Sequence, residues 1–357
     1  MLWIVTSQAG LNSAYDADGA ALVEAKLQQL AAAAAGAAQG AELHVLAASN
    51  DAPSLYAELK ALTGRSVAGP GNLLIAGDQR IFPSFSVSNP VTDRTLDPDT
   101  AVVTDNPYGS FVWSQPVDAV LPEIPVGRIA AGVEQTAAGL AALLDAQIAL
   151  RTAHGLRTGY VEIVSRQWQN VGTSVLSMTA PGARVIVSPD GRVSASNASL
   201  LDCKYLYCNL HGFLNTAAWS GYDQGLSYPV VAITPDAFQP QYVSGTVTFT
   251  EACYGLATSG RTTGGSNALS LMAAGAAAVI GSTGLAYGSA TAQPQTLIDA
   301  DILARTFFNA AAAGVALGHC LSEARSALRS SSSASDAYVV KTLLEFQLLG
   351  DPSYVLS

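Results

Sequence analysis

"KYLYCNLHGFLN", residues 204–215, and "GTVTFTEACYG", residues 245–255, share one form. In each, a run of apolar and β-branched residues stops at a side chain that can do chemistry, with a glycine close behind. The first run ends on His211-Gly212 and the second on Cys253-Tyr254-Gly255. Short apolar runs with such stops predict strands buried on both faces, the kind found in parallel sheets. Ligands of open parallel sheets bind beyond the carboxyl ends of the strands. Two strand ends carrying a His and a Cys therefore predict one crevice that holds both. A thiolate is a nucleophile, and a nearby imidazole can generate it. Gly212 permits close approach of backbone to a substrate, and its N–H, with that of Cys253, suits a developing oxyanion. Spacing alone leaves a second reading open, a structural cysteine beside an unrelated histidine, because Cys often packs as a plain hydrophobe.

The rest of the chain extends the pattern. "LWIVTS" (2–7), "ELHVLAA" (42–48), "GNLLIAGD" (71–78) and "EIPVGRIA" (123–130) read as strands. Helical patterns at 19–38, 53–62 and 133–152 alternate with them. Residues 83–110 are rich in Pro, Asp and Ser and read as a long loop with a short strand at 101–104. The alternation then restarts with strands at 159–166 and 183–189 around a helix near 170–179. After the two opening runs come a helix at 267–276, a strand at 277–283 and helices near 295–313, 317–329 and 337–348. Alternating strands and helices predict an α/β fold with a mostly parallel sheet. "RTAHGLRTG" (151–159) is the expected joint between a smaller N-terminal part, 1–152, and a larger C-terminal part, 153–357.

Composition narrows the classes. At 49% hydrophobic and 12% charged residues, the chain is globular rather than disordered. Its net charge of −10, without a basic run, argues against a nucleic-acid partner. No span reads as a membrane helix, so no membrane insertion is expected. The four cysteines do not form a disulfide framework, and no histidine stands at zinc-ligand spacing from a cysteine pair. Cys203 and Cys208 are expected on opposite faces of one strand. "MLWIVTS" lacks the pattern of a signal peptide, which points to the cytoplasm.

The two strand ends resemble the hallmark of the caspase–hemoglobinase fold of cysteine peptidases, an apolar strand ending His-Gly and another ending Ala-Cys. The likeness is to the gingipain-like branch, peptidase family C25, and it extends to ordered motifs from about residue 70 to 356. "NLLIAGDQRIFP" (72–83), "TDNPYG" (104–109), "EIPVGRIA" (123–130), "AAWSG" (217–221), "VIGST" (279–283) and "LLGDPSYVL" (348–356) are similar to that branch's stretches. The resemblance implies an α/β/α sandwich with mostly parallel sheets and a smaller N-terminal and larger C-terminal subdomain. It implies an endopeptidase acting on peptides or proteins without a cofactor. Cys253 would be the nucleophile, His211 the acid–base and Gly212 an oxyanion donor. It also implies that export and processing are an alternative to the cytoplasm. A transpeptidase using the same acyl-enzyme, and a non-catalytic interaction domain on the same scaffold, are the competing functions.

Glu251 lies two residues before Cys253, so on a strand the two share a face. A carboxylate there does not help to form a thiolate, which points to recognition of a cation. In clostripain-like and metacaspase relatives an acid at this place lines the pocket for a basic P1 side chain. Legumains also carry Glu there and prefer Asn. The stretch that supplies carboxylates in arginine-specific gingipains corresponds to "SRQWQNVG" (165–172), which has none. Glu251 is therefore expected to supply the charge for Arg or Lys, and a structural salt bridge is the alternative. Tyr287 resembles the aromatic that covers the pocket. Asp223 is a candidate for orienting His211. Asp93, Asp97, Asp99 and Asp105 form an acidic loop that is either solvated or a structural calcium site.

Overall fold

The computed structural model describes all residues except 37–39, 65–70, 112–114, 153–156, 290–296, 333–335 and 357. The expected joint thus falls partly outside the described residues. Fourteen strands are described: β1 Leu2–Ser7, β2 Ala41–Leu46, β3 Asn72–Ala76, β4 Phe85–Ser88, β5 Ala101–Thr104, β6 Val126–Ile129, β7 Tyr160–Ser165, β8 Arg184–Ser188, β9 Tyr205–Asn209, β10 Trp219–Gly221, β11 Val230–Ile233, β12 Val247–Thr250, β13 Ala278–Ser282 and β14 Phe346–Gly350. The helices are α1 Gln8–Ala14, α2 Ala17–Ala34, α3 Ala52–Thr63, α4 Ala137–Thr152, α5 Gln169–Leu176, α6 Pro240–Val243, α7 Asn267–Ala273, α8 Asp299–Ala312, α9 Leu317–Ser331 and α10 Ala337–Glu345.

Ten strands make one sheet in the order β2-β1-β3-β6-β14-β13-β12-β9-β7-β8. Every described pairing within it is parallel except β13 with β14. Helices cover both faces. In β9, Leu206 and Cys208 join the core beneath α2, α4 and α7, whereas Tyr205 and Tyr207 join the core beneath α5, α8, α9 and α10. This alternation follows from the two-residue period of a strand buried on both sides. Val247 and Phe249 of β12 point to the α8 side, so Glu251, at the same parity, continues toward that side. β6 and β14 pair at one register position, Arg128 with Leu349, and this pairing joins the N-terminal strands to the rest of the sheet.

Three readings need correction. The helix expected to run to 348 ends at Glu345, and Phe346–Gly350 is a central strand. "LLEFQLLG" is apolar at nearly every position, so its period cannot tell a buried helix from a strand buried on both faces. The loop 83–110 holds a second strand, β4, paired antiparallel with β5. Cys203 lies in the bend before β9, not on the strand, and packs in the same core cluster as Cys208. The short antiparallel pair β10–β11 was not expected, although Val230–Ile233 is a continuous apolar run.

Candidate active site

His211 follows β9 and is held by a two-way backbone bridge. Its N–H donates to Ser220 O at 2.7 Å, and Ser220 N–H donates to His211 O at 2.8 Å. Its ring packs against Trp168 at a centroid distance of 4.4 Å, with Phe213 and Tyr222 beyond at 6.4 and 6.2 Å. Nε2 lies 2.8 Å from the side-chain nitrogen of Gln167. With that amide donating, Nε2 accepts and the neutral ring carries its proton on Nδ1. Burial lowers the imidazole pKa from 6.5, which favours the neutral base at pH 7. Asp223 does not reach this histidine as its partner. It lies 3.3 Å from Arg166, and the side-chain hydrogen bond to the ring comes instead from Gln167, in the stretch 165–172 that lacks acids.

Cys253 sits in the turn that follows β12. It is the half-buried member of four free cysteines; Cys203, Cys208 and Cys320 are buried. Its thiol is 3.7 Å from Ala286 O, and burial pushes its pKa up to about 11, so the resting group is a thiol. The next residue, Tyr254, has φ of +56°, a left-handed conformation that costs a bulky residue roughly 1–3 kcal/mol. Two contacts hold it there: its N–H donates to Gly284 O at 2.7 Å and its hydroxyl to Asp99 at 2.8 Å. Gly212 lies flush against this turn. A Cβ at Gly212 would overlap the carbonyl oxygen of Cys253. The N–H groups of Gly212 and Cys253 have no carbonyl partner among the described residues.

His211, Cys253, Glu251 and Tyr287 line one narrow cavity of about 60 Å³, joined by Trp168, Gly288 and Asp301. Asp301 was not singled out in the sequence; its acid is one of several at the start of α8, and only the fold brings it to β12. Glu251 Oε1 accepts from the Tyr207 hydroxyl at 2.6 Å. Asp301 Oδ2 accepts from Ser289 N–H at 2.9 Å, while the buried Oδ1 has no partner. A Cβ on Gly288 would lie 3.2 Å from Asp301 Oδ1 and 3.4 Å from Glu251 Oε2, so the two carboxyl groups converge beneath this glycine. Neither has a Lys or Arg within 4 Å among the described residues. Glu251 is therefore not part of a salt bridge in the described structure. Burial first, and then the charge of Asp301, raise its pKa well above the usual carboxyl range.

Tyr287 is anchored from outside the cavity. Its hydroxyl donates to Asp97 at 2.6 Å, and Lys341 Nζ lies 5.4 Å from its ring centroid. Lys341 also pairs with Asp97 at 2.6 Å and Asp99 at 3.0 Å. Asp105 pairs with Arg128 at 2.7 Å, and Asp93 accepts from Thr95 N–H at 2.9 Å. These acids thus have protein partners. No group of three His, Cys, Asp or Glu side chains placed to hold a metal occurs among the described residues. No helix among them is long and apolar enough to cross a membrane.

The model of peptidase family C25 matches residues 205–357. No curated protein sequence matches the chain significantly. Among solved structures, the Arg-specific cysteine proteinase gingipain R (RgpB) is similar over 99% of this chain and 78% of that one, at 15% identity and a TM-score of 0.66. A complex of Porphyromonas gingivalis RgpB pro- and mature domains is similar over 99% and 79%, at 14% identity and 0.66. A structure described as a protease is similar over 99% and 78%, at 13% identity and 0.67. The family match begins at the first residue of β9 and takes in both strand ends, Glu251 and Asp301. With that match set inside a fold similar to that of gingipain R across the described sheet, residues 205–357 carry the pattern of peptidase family C25, and the chain is similar to the gingipain-like cysteine peptidases.

Proposed function

We propose that the chain is an endopeptidase that cuts after Arg or Lys, with Cys253 and His211 as its dyad. One observation carries the specificity: two carboxyl groups, Glu251 and Asp301, meet without a cation in the cavity that Cys253 borders. A guanidinium entering there meets two acceptors in a poorly solvated site, where charge-assisted hydrogen bonds are strong. Asp301 on α8 takes the place of the acids missing from 165–172.

The chemistry follows from the strand ends. With the Gln167 amide turned so that its oxygen accepts from Nε2–H, Nδ1 of His211 is the free base that removes the Cys253 proton as sulfur attacks the scissile carbonyl. The oxyanion forms against the N–H groups of Gly212 and Cys253. As the C–N bond breaks, His211 returns its proton to the leaving amine and an acyl-enzyme remains. His211 then takes a proton from water, which attacks the thioester. Collapse releases the acid and restores the thiol. An amine in place of water gives transpeptidation.

A P1-scanning peptide library tests the reading. Cleavage is expected after Arg or Lys, and Cys253→Ala is expected to abolish it, while Cys208→Ser keeps the chemistry. Turnover by Cys253→Ala at the wild-type rate would overturn the dyad. A competing P1 residue is Asn, because a protonated Glu251 beside Asp301 offers a carboxamide both a donor and an acceptor. Preference for Asn in the same library would establish that reading instead.

A further inference from the structure

We propose that Arg261 forms a subsite for a carboxylate on the leaving side of the scissile bond. The proposal rests on the reading of Cys253 and the acidic cavity given above. Cys253 borders two hollows. One is the acidic cavity. The other runs between Phe213 and Trp219 on one wall and Tyr254, Ala257 and Arg261 on the other. Ala257 and Arg261 also line a third, larger cavity of about 240 Å³, which Arg128 and Leu349 border where β6 meets β14. Leu214, Leu256 and Leu348 form apolar walls there.

Direction follows from the chemistry. A P1 side chain in the acidic cavity puts the acyl part of the substrate on that side of the thiol. The amine that departs then faces the second hollow, between the segments that leave His211 and Cys253. A peptide chain continuing from that amine runs past Arg261 into the larger cavity.

The charge there is unbalanced. Arg128 and Asp105 also line the larger cavity, but they pair with each other at 2.7 Å. Arg261 donates to Gly265 O at 3.0 Å and to Leu214 O, and these bonds fix its plane. No Asp or Glu among the described residues pairs with it within 4 Å. A fixed guanidinium with apolar walls beside it suits a carboxylate carried on a peptide. The carboxylate has two possible sources: an Asp or Glu side chain just past the scissile bond, or the free C-terminus of a short peptide. The site would then read opposite charges on the two sides of the bond it cuts.

The test uses the whole chain and peptides with one acyl side ending in Arg. Leaving segments Leu-Glu-Leu-amide and Leu-Gln-Leu-amide form one pair; Leu-Leu with a free or amidated terminus forms the other. The carboxylate member of at least one pair is expected to win by roughly tenfold or more in kcat/KM, the scale of one charge-assisted bond. Arg261→Gln is expected to erase that ratio, and Arg261→Lys to keep part of it. A preference in the first pair assigns the side chain as the source, and one in the second assigns the terminus. Wild-type enzyme without preference in either pair overturns the proposal, as does a preference that survives in Arg261→Gln. Should a variant fail to fold, the wild-type ratios still decide. An arginine anilide, with no residue beyond the scissile bond, reads the P1 assignment alone, so its failure to be cleaved is distinguishable from loss of the carboxylate preference.

Discussion

Glu251 and Asp301 have no Lys or Arg paired with them among the described residues, and this sets how the pocket responds to pH. Two carboxyl groups in contact in a buried site cannot both ionise cheaply. The raised pKa of Glu251 means that the empty pocket holds a proton above the ordinary carboxyl range. A guanidinium in the pocket favours both carboxylates, so binding a basic P1 group expels that proton. The sign is fixed: affinity rises as pH rises toward the raised pKa, by at most about tenfold per pH unit for one proton. KM for an arginine substrate is therefore expected to fall with increasing pH, and Glu251→Gln is expected to flatten that trend. The same variant is expected to lower kcat/KM by roughly 30- to 1,000-fold, the range for truncating one partner of a buried charge pair. Its thiol should still react with a small alkylating agent. A pH-independent KM in the wild type would remove the shared proton from the account.

On β7, a single acid works against the strand that carries it. Glu162 lies opposite Tyr207 of β9 and is buried, and its Oε1 has no hydrogen-bond partner. Burial raises its pKa from 4.5 to about 8. The folded chain thus holds this proton more tightly than the unfolded chain. Stability from this group is full below about pH 4.5 and is lost as pH rises through about 8. Glu162→Gln is expected to be the more stable protein at pH 8, by a few kcal/mol on the order set by about 1.4 kcal/mol per pKa unit. Urea unfolding at pH 5 and pH 8 measures it, and an unchanged pH slope in the variant would rule the idea out. Such features mark the limit of legibility. His211, Gly212 and Cys253 were readable because each ends or follows a short apolar run whose period and stop are local. Glu162 and Asp301 look like ordinary acids in the sequence, and only the packing of β7, β9, β12 and α8 gives them neighbours. β14 was misread for the opposite reason, since a run apolar at nearly every position shows no clear period.

Across the whole molecule, one buried lysine ties the N-terminal half to the walls of the pocket. Lys341 on α10 reaches Asp97 and Asp99, which lie more than 240 positions earlier, and donates to Leu285 O at 2.9 Å. Asp99 in turn accepts from the Leu285 N–H and the Tyr254 hydroxyl, both at 2.8 Å, and Asp97 from the Tyr287 hydroxyl. The strained residue after Cys253 and the aromatic wall thus share one ionic anchor. Burial alone would lower the pKa of Lys341, but the surrounding carboxylates, Glu345 first among them, more than offset it and hold it charged. Lys341→Met would leave buried carboxylates without their cation, a loss of about 3–5 kcal/mol. The loss is greatest at neutral pH and shrinks as acid protonates the carboxylates, so the variant should regain part of the wild-type stability toward pH 5. In the folded variant, kcat/KM for an arginine substrate is expected to fall more than alkylation of Cys253, because Tyr287 and Tyr254 lose their anchor while the thiol keeps its place in the turn after β12. The comparison needs thermal unfolding at two pH values together with steady-state kinetics. A variant equally destabilised at both pH values, with kcat/KM unchanged, would show that the lysine acts as packing and not as the strut between the two halves.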